Sequence, residues 1–157
     1  GSGTHPTTQL CLRWLVQHPP LGARVLDYGC GSGVLAIAAA RLGARDVVGT
    51  DIDEQALVAA RANSALNGID ARYTAPDRLG AGAFDVVLAN ILANPLCLLA
   101  PALLARVAPG GALVLSGVLA RQGGEVAAAY AESDPAVPLS VWAIDQDWVC
   151  LAGRRGG

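Results

Sequence analysis

A chain of 157 residues is one ordinary domain, long enough to bury about two thirds of its unfolded surface without disulfide or metal support. Hydrophobic residues make up 53% of it, which excludes an intrinsically disordered chain. The net charge is −2 and all 11 basic residues are scattered arginines, so no basic stripe is present to neutralise phosphates and no direct nucleic-acid partner is expected.

The chain opens with "GSGTHPTTQLCLRWLVQH". Leu10, Trp14 and Leu15 recur near helical spacing, Pro6 suits a first turn and Pro19-Pro20 ends the pattern, which predicts a helix from about Pro6 to about Gln17. A hydroxyl ahead of Pro6 is the expected cap. "ARVLDYG" predicts a strand and "GVLAIAAARLG" a helix closed by Gly43. "DVVGTD" repeats the strand, and "DEQALVAARANSALNG" repeats the helix, with Asp53 as cap and Gly68 as stop. A weak strand around Ala71 to Thr74, a turn-rich loop and the strand "FDVVLAN" follow. Next come a helix over roughly Pro95 to Val107, a turn at "PGG", the strand "ALVLSG" and a helix over "RQGGEVAAAYAES". Two β-type runs, "PLSVWAID" and "QDWVCLAGR", meet at a tight Asp145-Gln146-Asp147 turn with no helix between them, which predicts an antiparallel hairpin at a sheet edge. Strands alternating with helices imply parallel pairing and right-handed crossovers, so the expected class is α/β, doubly wound.

Residues 86–105 carry no charge, but Asn90, Asn94, Pro95 and Pro101 break them into strand, loop and helix, so no membrane span is expected. Cys11, Cys30, Cys97 and Cys150 are far apart in sequence and form no C-x-x-C pair, which predicts no metal site and a reducing, intracellular setting. The sequence contains no methionine, so further chain is expected upstream of Gly1.

The sharpest motif is "VLDYGCGSG", where the first strand turns into a helix. Glycines there let the backbone pass close to a ligand, and the helix start behind them favours an anionic or carboxylate-bearing group. Asp51 ends the second strand about twenty residues on, where a carboxylate can accept from both hydroxyls of a ribose. The spacing Gly29-x-Gly31-x-Gly33, with Val at position 34, departs from the G-x-G-x-x-G of dinucleotide enzymes. Asp27, two residues before Gly29, would repel a pyrophosphate but could pair with an ammonium. That combination suits S-adenosylmethionine, which carries an amino acid, a sulfonium and an adenosine but no phosphate. Asn90 ends "FDVVLAN" on the rim where open α/β sheets bind ligands. The "NILA" that it begins lacks the aromatic expected of enzymes acting on planar amides or flipped bases, and a neutral, aliphatic rim suits an amine nucleophile.

Together "GSGTHPTTQLCLRWL", "VLDYGCGSGVLAIAAARLGA", "VVGTDIDEQAL", "DVVLANILANPL" and "LSGVLARQ" resemble the methyltransferases of ribosomal protein L11, in the same order and with similar spacing from Gly1 to about Arg154. The resemblance implies a Rossmann-like class I methyltransferase with a seven-stranded, mostly parallel sheet of order 3-2-1-4-5-7-6. It implies methylation, from S-adenosylmethionine, of lysine ε-amines and the N-terminal α-amine of ribosomal protein L11 in the cytoplasm. Carried over, it implies that Thr8, Gly29, Asp51 and Asn90 contact the cofactor, with Asn90 also beside the transferred methyl. Gly31 and Asp27 join them on the chemistry above. The family also has an N-terminal domain that grips the ribosomal protein, and no stretch here matches it. Residues 1–157 therefore read as a single methyltransferase domain, expected to bind the cofactor and to methylate poorly alone.

Two further readings keep the fold and cofactor: methylation of another protein or a small molecule, and a non-catalytic S-adenosylmethionine-binding module. A dehydrogenase would require NADH binding. Cys30, His18, Trp142 and Trp148 are expected to be structural. His5 is more often structural than catalytic in such a position, and "GSGTHPTT" is expected to cover the glycine loop.

Overall fold

Short valine- and leucine-rich runs with both faces covered are the sequence of buried parallel strands. Here they assemble into one seven-stranded sheet of order β3-β2-β1-β4-β5-β7-β6. The structure is a computed structural model and describes residues 5–157. In chain order the elements are α1 (Pro6–Gln17), β1 (Arg24–Tyr28), α2 (Val34–Arg41), β2 (Asp46–Thr50), α3 (Glu54–Leu66), β3 (Arg72–Thr74), β4 (Phe84–Asn90), α4 (Ala93–Leu98), α5 (Ala100–Leu104), β5 (Val107–Leu119), α6 (Gly123–Ser133), β6 (Ser140–Asp145) and β7 (Trp148–Arg154). β1 to β5 pair in parallel, while β7 runs antiparallel between β5 and β6. The expected class, strand order and edge hairpin are all present.

Alternation along the strands divides the core in two. Val25, Val86, Leu88 and Val114 face the side covered by α1, α2 and α3, with Leu10, Trp14, Leu35 and Leu57 packed against them. Leu26, Val87, Ala89 and Leu115 face the side covered by α4, α5 and α6. Tyr130 of α6 is fully buried there, and its hydroxyl donates to the Leu96 carbonyl at 2.8 Å, satisfying the one polar atom that its burial would strand. No helix among the described residues is long and apolar enough to cross a membrane.

Three local features differ from expectation. The helix predicted over Pro95 to Val107 is two short helices that meet at Leu99. Pro101 has no N–H to give back to the preceding turn, so the helical ladder breaks there. "PGG" is absorbed into a bulge of β5: the pairing steps from Phe84↔Val107 to Val86↔Ala112. The cap of α1 is not a hydroxyl but the His5 ring, whose Nδ1 accepts from the Thr7 backbone N–H at 3.2 Å and lies 2.8 Å from the Thr7 hydroxyl. Thr4, which carries the hydroxyl expected to cap, lies outside the described residues, as do Gly1 to Gly3. Asp53 caps α3 as expected, accepting from the Gln55 N–H at 2.9 Å.

Candidate functional site

In a parallel sheet every strand delivers the residue after it to the same edge, so β1, β2 and β4 bring the glycine loop, Asp51 and Asn90 together. The glycine loop is wired to β2: the N–H groups of Gly29 and Cys30 both donate to the Thr50 carbonyl at 2.8 Å. The Gly31 N–H donates to Asp51 Oδ2 at 2.9 Å, and the Gly33 N–H to the Cys30 carbonyl at 2.9 Å. The other oxygen of Asp51 accepts from the Asp53 N–H at 2.9 Å. Each carboxylate oxygen keeps a lone pair free for a further donor. Gly29 has a φ of +76° and a Cβ on it would come within 3.0 Å of the Ile91 side chain, so the residue after β4 seals one side of the loop.

Beneath the loop Asp27 is 1% exposed and accepts from the Ala36 N–H of α2 at 3.2 Å. Burial, with the Asp51 carboxylate adding to it, pushes its pKa up to about 7 against the partial relief of the Ala36 hydrogen bond. Burial beside those same carboxylates holds the Cys30 thiol at about 12. Cys30 is therefore a small packing residue rather than a nucleophile.

The other wall comes from α1. Thr8 is 4% exposed, and its hydroxyl accepts from Asn90 Nδ2 at 3.3 Å. One residue earlier, the Thr7 carbonyl accepts from the buried Ser116 hydroxyl of β5 at 2.9 Å. Two strand ends thus hold the start of α1 in place over the site. A small cavity of about 100 Å³ is lined by Thr8, Asp27, Gly29, Cys30, Gly31 and Asn90 among others. A larger one of about 580 Å³ shares Thr8 and Asn90 with it and continues past Ile91, Leu92 and Gly117 to Trp148 and His5. Five of the six expected site residues therefore line one small cavity, and the sixth, Asp51, is joined to it by the hydrogen bond that it accepts from Gly31.

Two wall residues lie outside the expected set of cofactor contacts: Trp148, expected to be structural, and His5, expected to be more often structural than catalytic. His5 caps its helix and also lines the larger cavity, its ring 5.3 Å from that of Trp148 at 65°. Trp148 gives the rim the aromatic face that "NILA" lacks, which corrects the expectation of a purely aliphatic rim. Its only sequence signal is its place as the first residue after the hairpin turn, because antiparallel pairing sets Trp148 opposite Leu119 at the site end of β5. Ile52, 93% exposed, directly follows Asp51 and adds an apolar face at that rim.

The profile of the family described as ribosomal protein L11 methyltransferase (PrmA) matches residues 1–156. The chain is 56% identical to a ribosomal protein L11 methyltransferase of Janthinobacterium sp. (strain Marseille), covering 98% of this chain and 50% of that protein. It is 56% identical to the one of Ralstonia pickettii (strain 12J), covering 99% of this chain and 51% of that protein. The chain therefore spans about half the length of the curated relatives it matches. Among solved structures, a ribosomal protein L11 methylase from Lactobacillus delbrueckii subsp. bulgaricus superposes with a TM-score of 0.89 at 35% identity, over 99% of this chain and 81% of that one. A magnesium protoporphyrin IX methyltransferase from Synechocystis, solved with bound SAM, shares the fold with a TM-score of 0.74 at 20% identity, over 94% of this chain and 77% of that one.

Proposed function

The chain belongs to the ribosomal protein L11 methyltransferase family, and on that premise we propose that it binds S-adenosylmethionine and transfers its methyl group to lysine ε-amines and the N-terminal α-amine of ribosomal protein L11. Residues 1–157 would be one methyltransferase domain, working where its ribosomal substrate is, in the cytoplasm. The observation that carries the cofactor reading is the state of the glycine loop. Four of its N–H groups, on Gly29, Cys30, Gly31 and Gly33, are already bonded within the protein. A pyrophosphate would find few donors there and the buried Asp27 carboxylate beneath. An ammonium and a ribose suit the same place, the first beside Asp27 and the second on the free lone pairs of Asp51.

When bound, S-adenosylmethionine supplies an electrophilic methyl group on a positively charged sulfur. The protein's part is to deliver a neutral amine to it. Among the described residues no Asp, Glu, Lys or Arg lines the larger cavity, whose one titratable side chain is His5, so no carboxylate there favours the ammonium form through an opposing charge. The hydrogen bond from Asn90 Nδ2 to Thr8 orients the amide, and its carbonyl oxygen is left to accept an amine N–H and orient the nitrogen lone pair. Trp148 offers a flat apolar face to the methylene stem of a lysine. Positioning of this kind is the main catalytic contribution expected of a site without a charged base.

Titration of S-adenosylmethionine and of NADH into the protein, followed by a methyl-transfer assay on ribosomal protein L11, tests the proposal. Binding of the first and not the second, with methyl incorporation, is expected. Failure to bind S-adenosylmethionine overturns the cofactor assignment, whereas binding with methylation of some other molecule overturns only the substrate.

Thr8 carries a sharper expectation. His5, not Thr8, caps α1, so Thr8→Ala leaves the cap intact and removes only the acceptor for Asn90. Stability should fall by about 1 kcal/mol, the size of a single lost hydrogen bond. Affinity for S-adenosylmethionine should fall by about tenfold or more, because the residue lines the small cavity and holds Asn90. A change of less than twofold by calorimetry would remove Thr8 from the site.

A further inference from the structure

The larger cavity does not end at Trp148. A second cavity of about 260 Å³ shares Leu92, Gly117 and Trp148 with it and extends toward Asn94, Leu119 and Gln122. Among the described residues no Asp, Glu, Lys or Arg lines either cavity, and His5 of the larger one is absent from the second, so the second is not built to read the charged side chains of a substrate. Two side-chain amides, with the indole N–H of Trp148, are the polar side-chain groups of the second one. The side-chain amide of Asn94 makes no hydrogen bond among the described residues, leaving one acceptor and two donor hydrogens. Gln122 is half committed: its Oε1 accepts from the Leu119 N–H at 3.0 Å, which orients the amide and leaves its NH₂ group as a donor. Around them the walls are apolar, with Leu92 65% exposed and Pro95, Leu119 and Trp148 completing the groove.

A peptide unit presents one N–H and one C=O, and a pair of neutral amides flanked by apolar walls is complementary to it without discriminating the side chains that it carries. We propose that this second cavity is a main-chain subsite, in which Asn94 and Gln122 hold the peptide backbone flanking the target amine while Trp148 separates that backbone from the transfer position. The subsite rests on the reading of the larger cavity as the place of amine methylation. It adds that the substrate enters as an extended segment and that recognition at the site is by backbone, tolerant of the neighbouring sequence.

The test compares ribosomal protein L11 with butylamine, an amine of similar reach that has no peptide backbone, using the full-length enzyme and two variants. Asn94→Ala removes one amide. Gln122→Glu keeps an oxygen for the Leu119 N–H but turns the remaining donor into an acceptor, so it changes the subsite without undoing the turn. Each variant should raise KM for the protein substrate about fivefold to tenfold, the worth of one hydrogen bond, with kcat changed less than twofold. The ratio of kcat/KM for protein over butylamine should fall by the same factor. A ratio unchanged in both variants, or an equal loss on both substrates, overturns the subsite while leaving amine methylation standing. An unmodified enzyme that methylates neither substrate overturns the amine reading and the subsite with it.

Discussion

Gly117→Ala should lower the melting temperature by about 10 °C or more, a loss of about 3 to 5 kcal/mol for a domain of this size. Gly117 sits at the site end of β5 with a φ of +88°, and a Cβ built there would lie 2.4 Å from the Ile91 carbonyl oxygen and 2.8 Å from its carbon. The obstacle is backbone rather than a side chain that can turn aside. Ile91 cannot retreat freely either, since its own N–H donates to the Ser116 carbonyl at 3.0 Å. Left-handed backbone adds about 1 to 2 kcal/mol of its own for a residue with a side chain. Whatever relief the chain finds must move Ile91 or Gly117, and both line the larger cavity, so S-adenosylmethionine binding should weaken along with stability. Gly124→Ala is the control: it lies in α6 with ordinary φ and no atom within 4 Å of a new Cβ, and should be neutral or stabilising by up to about 1 kcal/mol. Thermal unfolding followed by circular dichroism decides the matter, and a Gly117→Ala melting point within about 3 °C of the parent would refute the close-approach argument.

That residue also marks what the sequence could and could not announce. The frame was legible because its signals are local: short β-rich runs such as the one that ends at Gly29, caps such as Asp53, and an acidic residue one strand after the glycine loop. Asp27, Gly29 and Gly31 could be placed in one cavity for the same reason, as neighbours along one turn. The contact between Thr8 and Asn90 joins residues 82 apart, and only the resemblance to relatives put them at one site. The hairpin turn before Trp148 is a local signal, but the pairing of β7 with β5 that sets Trp148 level with the end of β5 is not, so the sequence places Trp148 only in hairpin packing. The sequence leaves the role of His5 open between structure and site, and one ring both caps α1 and borders the cavity. The break between α4 and α5 was missed because Pro101 suits the first turn of a helix as well as the end of one, and sequence spacing does not say which.

Binding of S-adenosylmethionine should be pH-dependent below neutrality, and Asp27 is the reason. Its pKa is raised by burial to about 7 in the folded protein, from 3.8 for an unburied carboxyl, so at pH 6 the group is mostly protonated. A ligand ammonium seated beside it stabilises the ionised form, and binding below pH 7 must therefore release a proton. The dissociation constant should fall by up to tenfold per pH unit as pH rises toward 7 and level off above it. Stability runs the other way. A carboxyl whose folded pKa is raised favours the folded state fully below its unfolded pKa of about 4, and that contribution is lost as pH climbs through 7, at a cost of about 4 kcal/mol. Asp27→Asn separates the two effects, because the amide keeps an oxygen for the Ala36 N–H but carries no charge. The variant should melt higher than the parent at pH 8, bind S-adenosylmethionine at least tenfold more weakly there, and lose the pH dependence of binding. Calorimetric titrations from pH 5.5 to 8.5 on both proteins measure it. Affinity that stays flat in the parent, or that survives in Asp27→Asn, would show that the buried carboxyl is only structural. The expected pattern would mean that the fold tolerates an uncomfortable charge under its glycine loop because the ligand needs one there.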